Sequence, residues 1–247
     1  MIGSNEEKFH QLIQSGRELR LWRHGFGYKH YCRHQLFPQY DFTGKTMLEI
    51  GAGSGTYSLW ASVMGAKEVI ALEPSKSGSD ETSCVHTFRS LVKRLELTNI
   101  TILEQTLQEY ASTPDRFDMI LSHYSINHLQ EEYCVMLRED PPARGYYIDL
   151  FKKLSALVKP GGSVIIVDCT NRSFYSDIGF VNPFSPTIEW FKHYPPSVWI
   201  ELMRDAGFHS PRVTWIYDNR LMHAGAMLKN RLAAYFYTSM FRIEMMK

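Results

Sequence analysis

A mixed α/β fold, with a mostly parallel seven-stranded sheet and helices on both faces, is what this sequence predicts. Three observations predict it. Short apolar runs recur along the chain and alternate with helical stretches. The first run, ending at Ile50, feeds a glycine-rich turn that opens a helix. No internal repeat, low-complexity tract or Gly/Ser linker divides the chain. Strands joined through helices are parallel, because a parallel connection needs a crossover, and ligands then bind at the carboxyl ends of the strands.

Taken in order, Met47 to Ile50 reads as the first strand, Val69 to Leu72 as the second, Ile100 to Leu103 as the third, Phe117 to Leu121 as the fourth and Val164 to Val167 as the fifth. All five read as buried on both faces. Helices are expected over Thr56 to Met64, Ser79 to Leu95 and Tyr146 to Val158. In the last of these, Tyr147, Leu150, Phe151, Leu154 and Leu157 recur at helical spacing. Pro160, Gly161 and Gly162 are expected to end that helix and turn the chain into the fifth strand. Val198 to Ala206 reads as a helix stopped by Gly207, and Val213 to Tyr217 and Tyr235 to Met245 as the two final strands. Residues 1–42 read as a helical cover over the site, 43–247 as the core, and 170–196 as a substrate-covering insertion.

Composition narrows the partners. The chain has 247 residues and is 44% hydrophobic, enough for one sizeable core. Its 27 Lys+Arg against 26 Asp+Glu leave no basic excess for a phosphate backbone, so no nucleic-acid partner is expected. The apolar runs fall far short of the roughly 20 residues that cross a bilayer, and the N-terminus opens polar and acidic, so no stable membrane insertion is expected. The scattered Cys32, Cys84, Cys134 and Cys169 suit reduced thiols, and a cytoplasmic location is the expectation. Leu221 to Lys247 mixes apolar and basic residues and reads as the closing part of the sheet or as a homodimer contact, more readily than as a membrane-facing element.

The sharpest local signal is Leu48-Glu49-Ile50-Gly51-Ala52-Gly53-Ser54-Gly55. Glycines there let the backbone turn tightly and approach a ligand closely. Glu73 follows about 20 residues on, at the end of the second strand, where a ribose diol could be held. A dinucleotide site favours Gly-x-Gly-x-x-Gly, whereas here the third glycine arrives one residue early and Thr56 stands where that pattern wants Gly or Ala.

With Glu49 before it, the turn resembles motif I of the class I S-adenosylmethionine-dependent methyltransferases. Ala71-Leu72-Glu73-Pro74-Ser75 is similar to that family's acidic loop after strand two, Phe117 to His123 to its fourth-strand motif, and Leu157-Val158-Lys159-Pro160-Gly161-Gly162-Ser163-Val164 to its entry into strand five. The resemblance implies a Rossmann-like class I methyltransferase fold, S-adenosylmethionine as donor and S-adenosylhomocysteine as product. It also implies that Gly51, Gly53 and Gly55 pass beneath the methionine moiety, that Glu49 sits near its amino end and that Glu73 accepts from the ribose hydroxyls. Ala52, Pro74, Thr106, Leu107, Ser122 and Tyr28 complete the expected cofactor set. Where the family often carries an Asp after the third strand, this chain reads Glu104-Gln105-Thr106-Leu107, and Gln105 or Thr106 stands in.

Methyl transfer is an in-line displacement, so the protein has to align the nucleophile, exclude water and take a proton where the acceptor needs it. His123 and His128, in Ser122-His123-Tyr124-Ser125-Ile126-Asn127-His128, are the candidate catalytic bases, since imidazole titrates near neutrality. Asp168 ends the fifth strand and could bind substrate or pair with a histidine. Tyr124, Tyr31, Phe174 and Tyr175 join it as candidate acceptor contacts. Trp22, His24 and Phe26 belong to the aromatic cover before the first strand; Phe180, Phe184 and Pro186 belong to the later insertion. His30 and His34, four apart, could share a helical face, but spacing specifies no third ligand and no metal is expected. The expected function is methyl transfer to a small-molecule acceptor, at oxygen first. Protein or RNA methylation, and cofactor binding without catalysis, are the alternatives.

Overall fold

A computed structural model describes residues 2–19, 21, 25–74, 81–184 and 188–247. Trp22, His24, Ser75 and Pro186, the Phe26 side chain and the expected helix start at Ser79 lie outside the described residues. Seven strands form one mostly parallel sheet: β1 (Thr46–Ile50), β2 (Glu68–Leu72), β3 (Ile100–Leu103), β4 (Phe117–His123), β5 (Val158–Cys169), β6 (His209–Trp215) and β7 (Met240–Met246), in the order β3-β2-β1-β4-β5-β7-β6. The pairs β1–β2 and β2–β3 are parallel, with Glu49 beside Ala71 and Ile50 beside Leu72, while β7 runs antiparallel to both β5 and β6. Contacts cluster into two compact units, residues 1–121 and 122–247, and the boundary falls inside β4.

In the first unit the described helices are α1 (Ile2–Glu18), α2 (Gly25–Tyr31), α3 (Thr56–Val63) and α4 (Glu81–Arg94), with a π-helical turn at Cys32–Leu36. β1 is buried along its whole length. Trp60 of α3 is the anchor for the N-terminal helices: Phe9 and Tyr28 meet its ring edge-on at 5.5 and 5.6 Å. Phe9 of α1 and Tyr28 of α2 therefore pack against the helix that leaves the glycine turn. β4 is tied to β1 where Asp118 Oδ2 accepts from the Thr46 amide and hydroxyl at 2.9 and 2.8 Å. β3 corrects the expectation of burial on both faces. It is the edge of the sheet, with Thr101 exposed and its other residues half-buried, because no strand among the described residues covers its outer side.

The second unit adds α5 (Glu131–Met136), α6 (Pro141–Leu157), α7 (Phe174–Asp177), α8 (Pro196–Asp205) and α9 (Arg231–Phe236). α6 starts earlier than its apolar periodicity predicts, because Asp140 caps it, accepting from the Ala143 amide at 3.0 Å, and Pro141 fits the first turn. Its apolar face meets α8 through Trp199, whose ring lies 5.6 Å from Tyr147 and 6.4 Å from Phe151.

Pro160-Gly161-Gly162 does not end the helix. Val158 is already extended, and the strand runs on through the three residues, the Gly161 amide donating to Lys247 and the Lys247 amide to Gly162. A residue before proline is pushed to extended geometry, so Lys159 could not have continued a helix. The final strand also starts later than expected. Asn230 caps α9 through the Ala233 amide at 2.9 Å, which makes Tyr235 helical, and β7 opens only after Ser239 turns at φ +54°. Its partner is longer at the front, running from His209 with an irregularity before Arg212.

Candidate functional site

The glycine turn is fastened to the end of β2. The Gly51 and Ala52 amides both donate to the Leu72 carbonyl, at 2.9 and 3.0 Å, so the next residue, Glu73, lies directly against the turn. Its Oε2 accepts from the Gly53 amide at 2.6 Å. Gly53 has φ +52°, and a Cβ there would meet nothing within 4 Å, which leaves a bare backbone bordered by open space. Gly55, at φ +73°, has the opposite reason for being glycine. A Cβ there would lie 2.2 Å from the buried ring of Phe88. One glycine borders open space, and the other lets α4 close against the start of α3.

Glu49 lies beneath, 1% exposed, with its Oε2 accepting from Ser58 Oγ at 2.5 Å. Burial pushes its carboxyl up to about 8, and the nearby Glu73 carboxylate pushes the same way, while Ser58 opposes both. Two acids this close gain most from a cation brought between them. The bare backbone at Gly53, the buried acid and the second acid at the end of β2 suit S-adenosylmethionine: a cationic amino group, a thioether chain and a ribose diol.

The other expected contacts in this unit are more constrained. Tyr28 is buried and its hydroxyl donates to the Thr56 carbonyl at 2.7 Å, and Tyr31 is buried with its ring 6.0 Å from Tyr57. Pro74 is half-buried and Leu107 is buried. The Thr106 amide and hydroxyl both donate to Glu109 Oε2, and Gln105 is exposed. The His30 and His34 rings sit 4.8 Å apart, the first buried and the second exposed.

The second unit carries the candidate bases. Ser122 bonds Ser125 at 2.8 Å between hydroxyls. Between them, Tyr124 has φ +54°, a left-handed conformation that costs an aromatic residue energy, and its amide is held by the Val167 carbonyl at 2.9 Å. Burial presses His123 down to about 3, so its imidazole is neutral near pH 7. His128 is half exposed, and its Nδ1 contacts Glu131 at 2.6 Å. Asp168 has no exposed surface and pairs through Oδ1 with His193 Nδ1 at 2.8 Å. Burial raises the Asp168 carboxyl, and the His193 contact opposes that rise.

His193 is the functional candidate that reading the sequence misses. It lies 25 residues from Asp168, and no spacing rule links a strand end to a loop histidine. Phe174 and Tyr175 open α7; Phe174 packs on Tyr235 and Phe236, and Tyr175 on Phe184, while Phe180 and Val181 of the same stretch are about 70% exposed. Two cavities border residues just past β5. One of about 440 Å³ is lined by His193, Tyr194, Asn171 and Arg138, and one of about 770 Å³ by Thr170, Arg172, Trp215, Arg231 and Tyr235.

Sheet order and glycine turn together define the fold of a class I methyltransferase. A family model described as "Methyltransferase domain" matches residues 13–210, and the chain belongs to that family. Among solved structures, a putative S-adenosylmethionine-dependent methyltransferase from Listeria monocytogenes matches with a TM-score of 0.61 at 17% identity, covering 90% of this chain and 99% of that one. Phosphoethanolamine N-methyltransferase 2 from Haemonchus contortus, solved with S-adenosyl-L-methionine, matches with a TM-score of 0.59 at 17% identity, covering 89% of this chain and 52% of that one. Among curated proteins, protein arginine N-methyltransferase PRMT10 from Arabidopsis thaliana is 33% identical over 86 residues, which are 35% of this chain and 21% of that protein. The chain thus spans about a fifth of the length of that relative. The matched family is one of methyltransferases, and the neighbour solved with S-adenosyl-L-methionine shares the fold. No helix among the described residues is long and apolar enough to cross a membrane.

Proposed function

We propose that this methyltransferase carries the methyl group to an oxygen of a small-molecule acceptor. The observation that carries the reading is the pair of cavities beside the carboxyl end of β5, at about 440 and 770 Å³. Small-molecule sites occupy that range of volumes. Glu49 holds the cationic amino end of the donor, Glu73 its ribose, and Gly51, Ala52, Gly53 and Gly55 the chain between. Pro74, Thr106, Leu107, Ser122 and Tyr28 complete that cradle. Tyr124, Asp168, Tyr31, Phe174 and Tyr175 shape the acceptor side, with 170–196 as its cover and residues 1–42 as the cover before the core. His123 and His128 are the bases first indicated by the sequence. A group held down to about 3 is a weak proton acceptor, which counts against His123 as the base.

Arginine methylation, the activity named for the plant relative, is the competing reading. A guanidinium acceptor needs carboxylates to hold it. Residues 122–130 carry none, and Glu131 is already shared by His128 and Lys192 at 2.6 and 2.7 Å. The larger cavity instead presents Arg138, Arg172 and Arg231, a setting for an acceptor with a carboxylate or phosphate. The near-neutral charge supports the absence of a nucleic-acid partner, and four free cysteines support a cytoplasmic setting. The test is to give the protein methyl-labelled S-adenosylmethionine with a cell extract separated into small-molecule, protein and RNA fractions. Label is expected in small molecules as a methyl ether or ester. Label confined to protein or RNA would refute the reading.

A further inference from the structure

We propose that His193, held in place by Asp168, is the base that receives the acceptor's proton, and that the cavity it lines seats the reacting hydroxyl. The proposal rests on the small-molecule oxygen acceptor argued above. It names a catalytic residue and a positioning residue for that site.

Asp168 is wholly buried at the end of β5, and its Oδ1 lies 2.8 Å from His193 Nδ1. A buried carboxylate accepts, so the ring proton sits on Nδ1 and the lone pair is left on Nε2, the form a base must have. Oδ2 is buried and has no hydrogen-bond partner among the described residues. A carboxylate kept in such a place is a costly structural element, and buried, incompletely paired acids concentrate at functional sites.

The ring is fixed from its own strand of chain as well. Lys192, just before it, is paired with Glu131 and Glu189 at 2.7 and 2.9 Å, and its carbonyl accepts from Cys134 Sγ at 3.3 Å. Tyr194, just after it, donates from its hydroxyl to the Val135 carbonyl at 2.9 Å. Pro195 and Pro196 then stiffen the entry to α8. The same histidine borders the cavity of about 440 Å³, with Trp190, Phe191 and Tyr194 as aromatic walls and Asn171 two residues past the end of β5.

The step balances without a further reagent. The acceptor oxygen forms a bond to the methyl carbon as the carbon–sulfur bond breaks, its electron pair staying on sulfur. The hydroxyl proton passes to His193 Nε2, and the imidazolium is stabilised by the Asp168 carboxylate. That proton returns to water when product leaves. Among the described residues, the charged or titratable groups around the pair include His128 after β4, Glu131 and Cys134 on α5, Cys169 at the end of β5, Lys192 and Tyr194 beside His193, and Arg138 and Glu139 at the cavity rim.

The test combines nitrogen-15 NMR of histidine-labelled protein without ligand and turnover with methyl-labelled donor and a small-molecule extract. In the unmodified protein His193 should show the Nδ1–H tautomer at pH 8, and Asp168→Asn should mix the two tautomers. His193→Gln should lower turnover about a hundredfold or more while leaving S-adenosylhomocysteine affinity within about twofold. His193→Gly should regain activity with added imidazole, which a structural loss would not. An Nε2–H tautomer in the unmodified protein, or full turnover in His193→Gln, would overturn the proposal. If no small molecule is labelled by any form, the acceptor reading fails, while the tautomer measurement still judges the pair.

Discussion

Glu49→Gln separates a buried acid that awaits a cation from one that merely packs. In the folded protein without ligand its carboxyl is pushed from 4.5 up to about 8. At pH 7 most molecules therefore hold it protonated. If the donor's cationic amino group docks against it, the ionised form is favoured, and binding must release close to one proton. Titration calorimetry of S-adenosylhomocysteine in buffers of different ionisation enthalpy reads that number directly. The unmodified protein is expected to release most of a proton at pH 7, and Glu49→Gln close to none, with affinity lower by ~10- to 100-fold for the lost charged contact. The same shift fixes a stability trend. A raised acid contributes stability that is complete below about pH 4.5 and is lost as pH rises through about 8, by at most ~5 kcal/mol at about 1.4 kcal/mol per unit. Glu49→Gln should flatten that loss in the ligand-free protein. Proton release of the same size in both forms, or none in either, would refute the role given to Glu49.

Other expectations follow from the same geometry. Glu73→Ala removes the acceptor of the Gly53 amide, so cofactor affinity should fall several-fold or more and stability by ~1–3 kcal/mol in denaturant titration; an unchanged pair of values would remove Glu73 from the turn. Gly55→Ala sets a methyl 2.2 Å from Phe88 at positive φ, and thermal unfolding should show a loss of ~2–5 kcal/mol, against which a melting point within a degree of the original would count. His123, held down to about 3, contributes stability that is present above about pH 6.5 and lost as pH falls toward 3; His123→Phe should blunt acid unfolding in that window, and an unchanged acid limb would contradict its burial as neutral imidazole. Burial raises the Cys32, Cys134 and Cys169 thiols, so a thiol reagent should label native protein at Cys84 first, and rapid labelling of the other three would contradict their placement.

The strand and helix order was legible because each element carries its own signal. Met47 to Ile50 announces a buried strand, and the spacing of Tyr147 to Leu157 a helix. What failed was set by neighbours. Nothing local marks Ile100 to Leu103 as an edge, since that depends on which strand lies beside it. Nor can Pro160-Gly161-Gly162 announce that Lys247 will pair with it. Asn230 was a readable cap for α9, and weighing it against the aromatic run would have moved the last strand to Met240. The contact of Glu73 with the glycine turn was legible because both sit on one β-α-β unit, where spacing encodes proximity. The pairing of Asp168 with His193 was not, because it joins a strand end to a distant loop and leaves no pattern along the chain.

The proposed donor site is the cradle formed by Glu49, the glycine turn and Glu73. A crystal structure of the protein with S-adenosylhomocysteine tests it most directly. It should show the ribose hydroxyls donating to Glu73, the amino group near Glu49 and the chain passing over Gly53. Density for the nucleoside away from this turn, with both acids untouched, would contradict it.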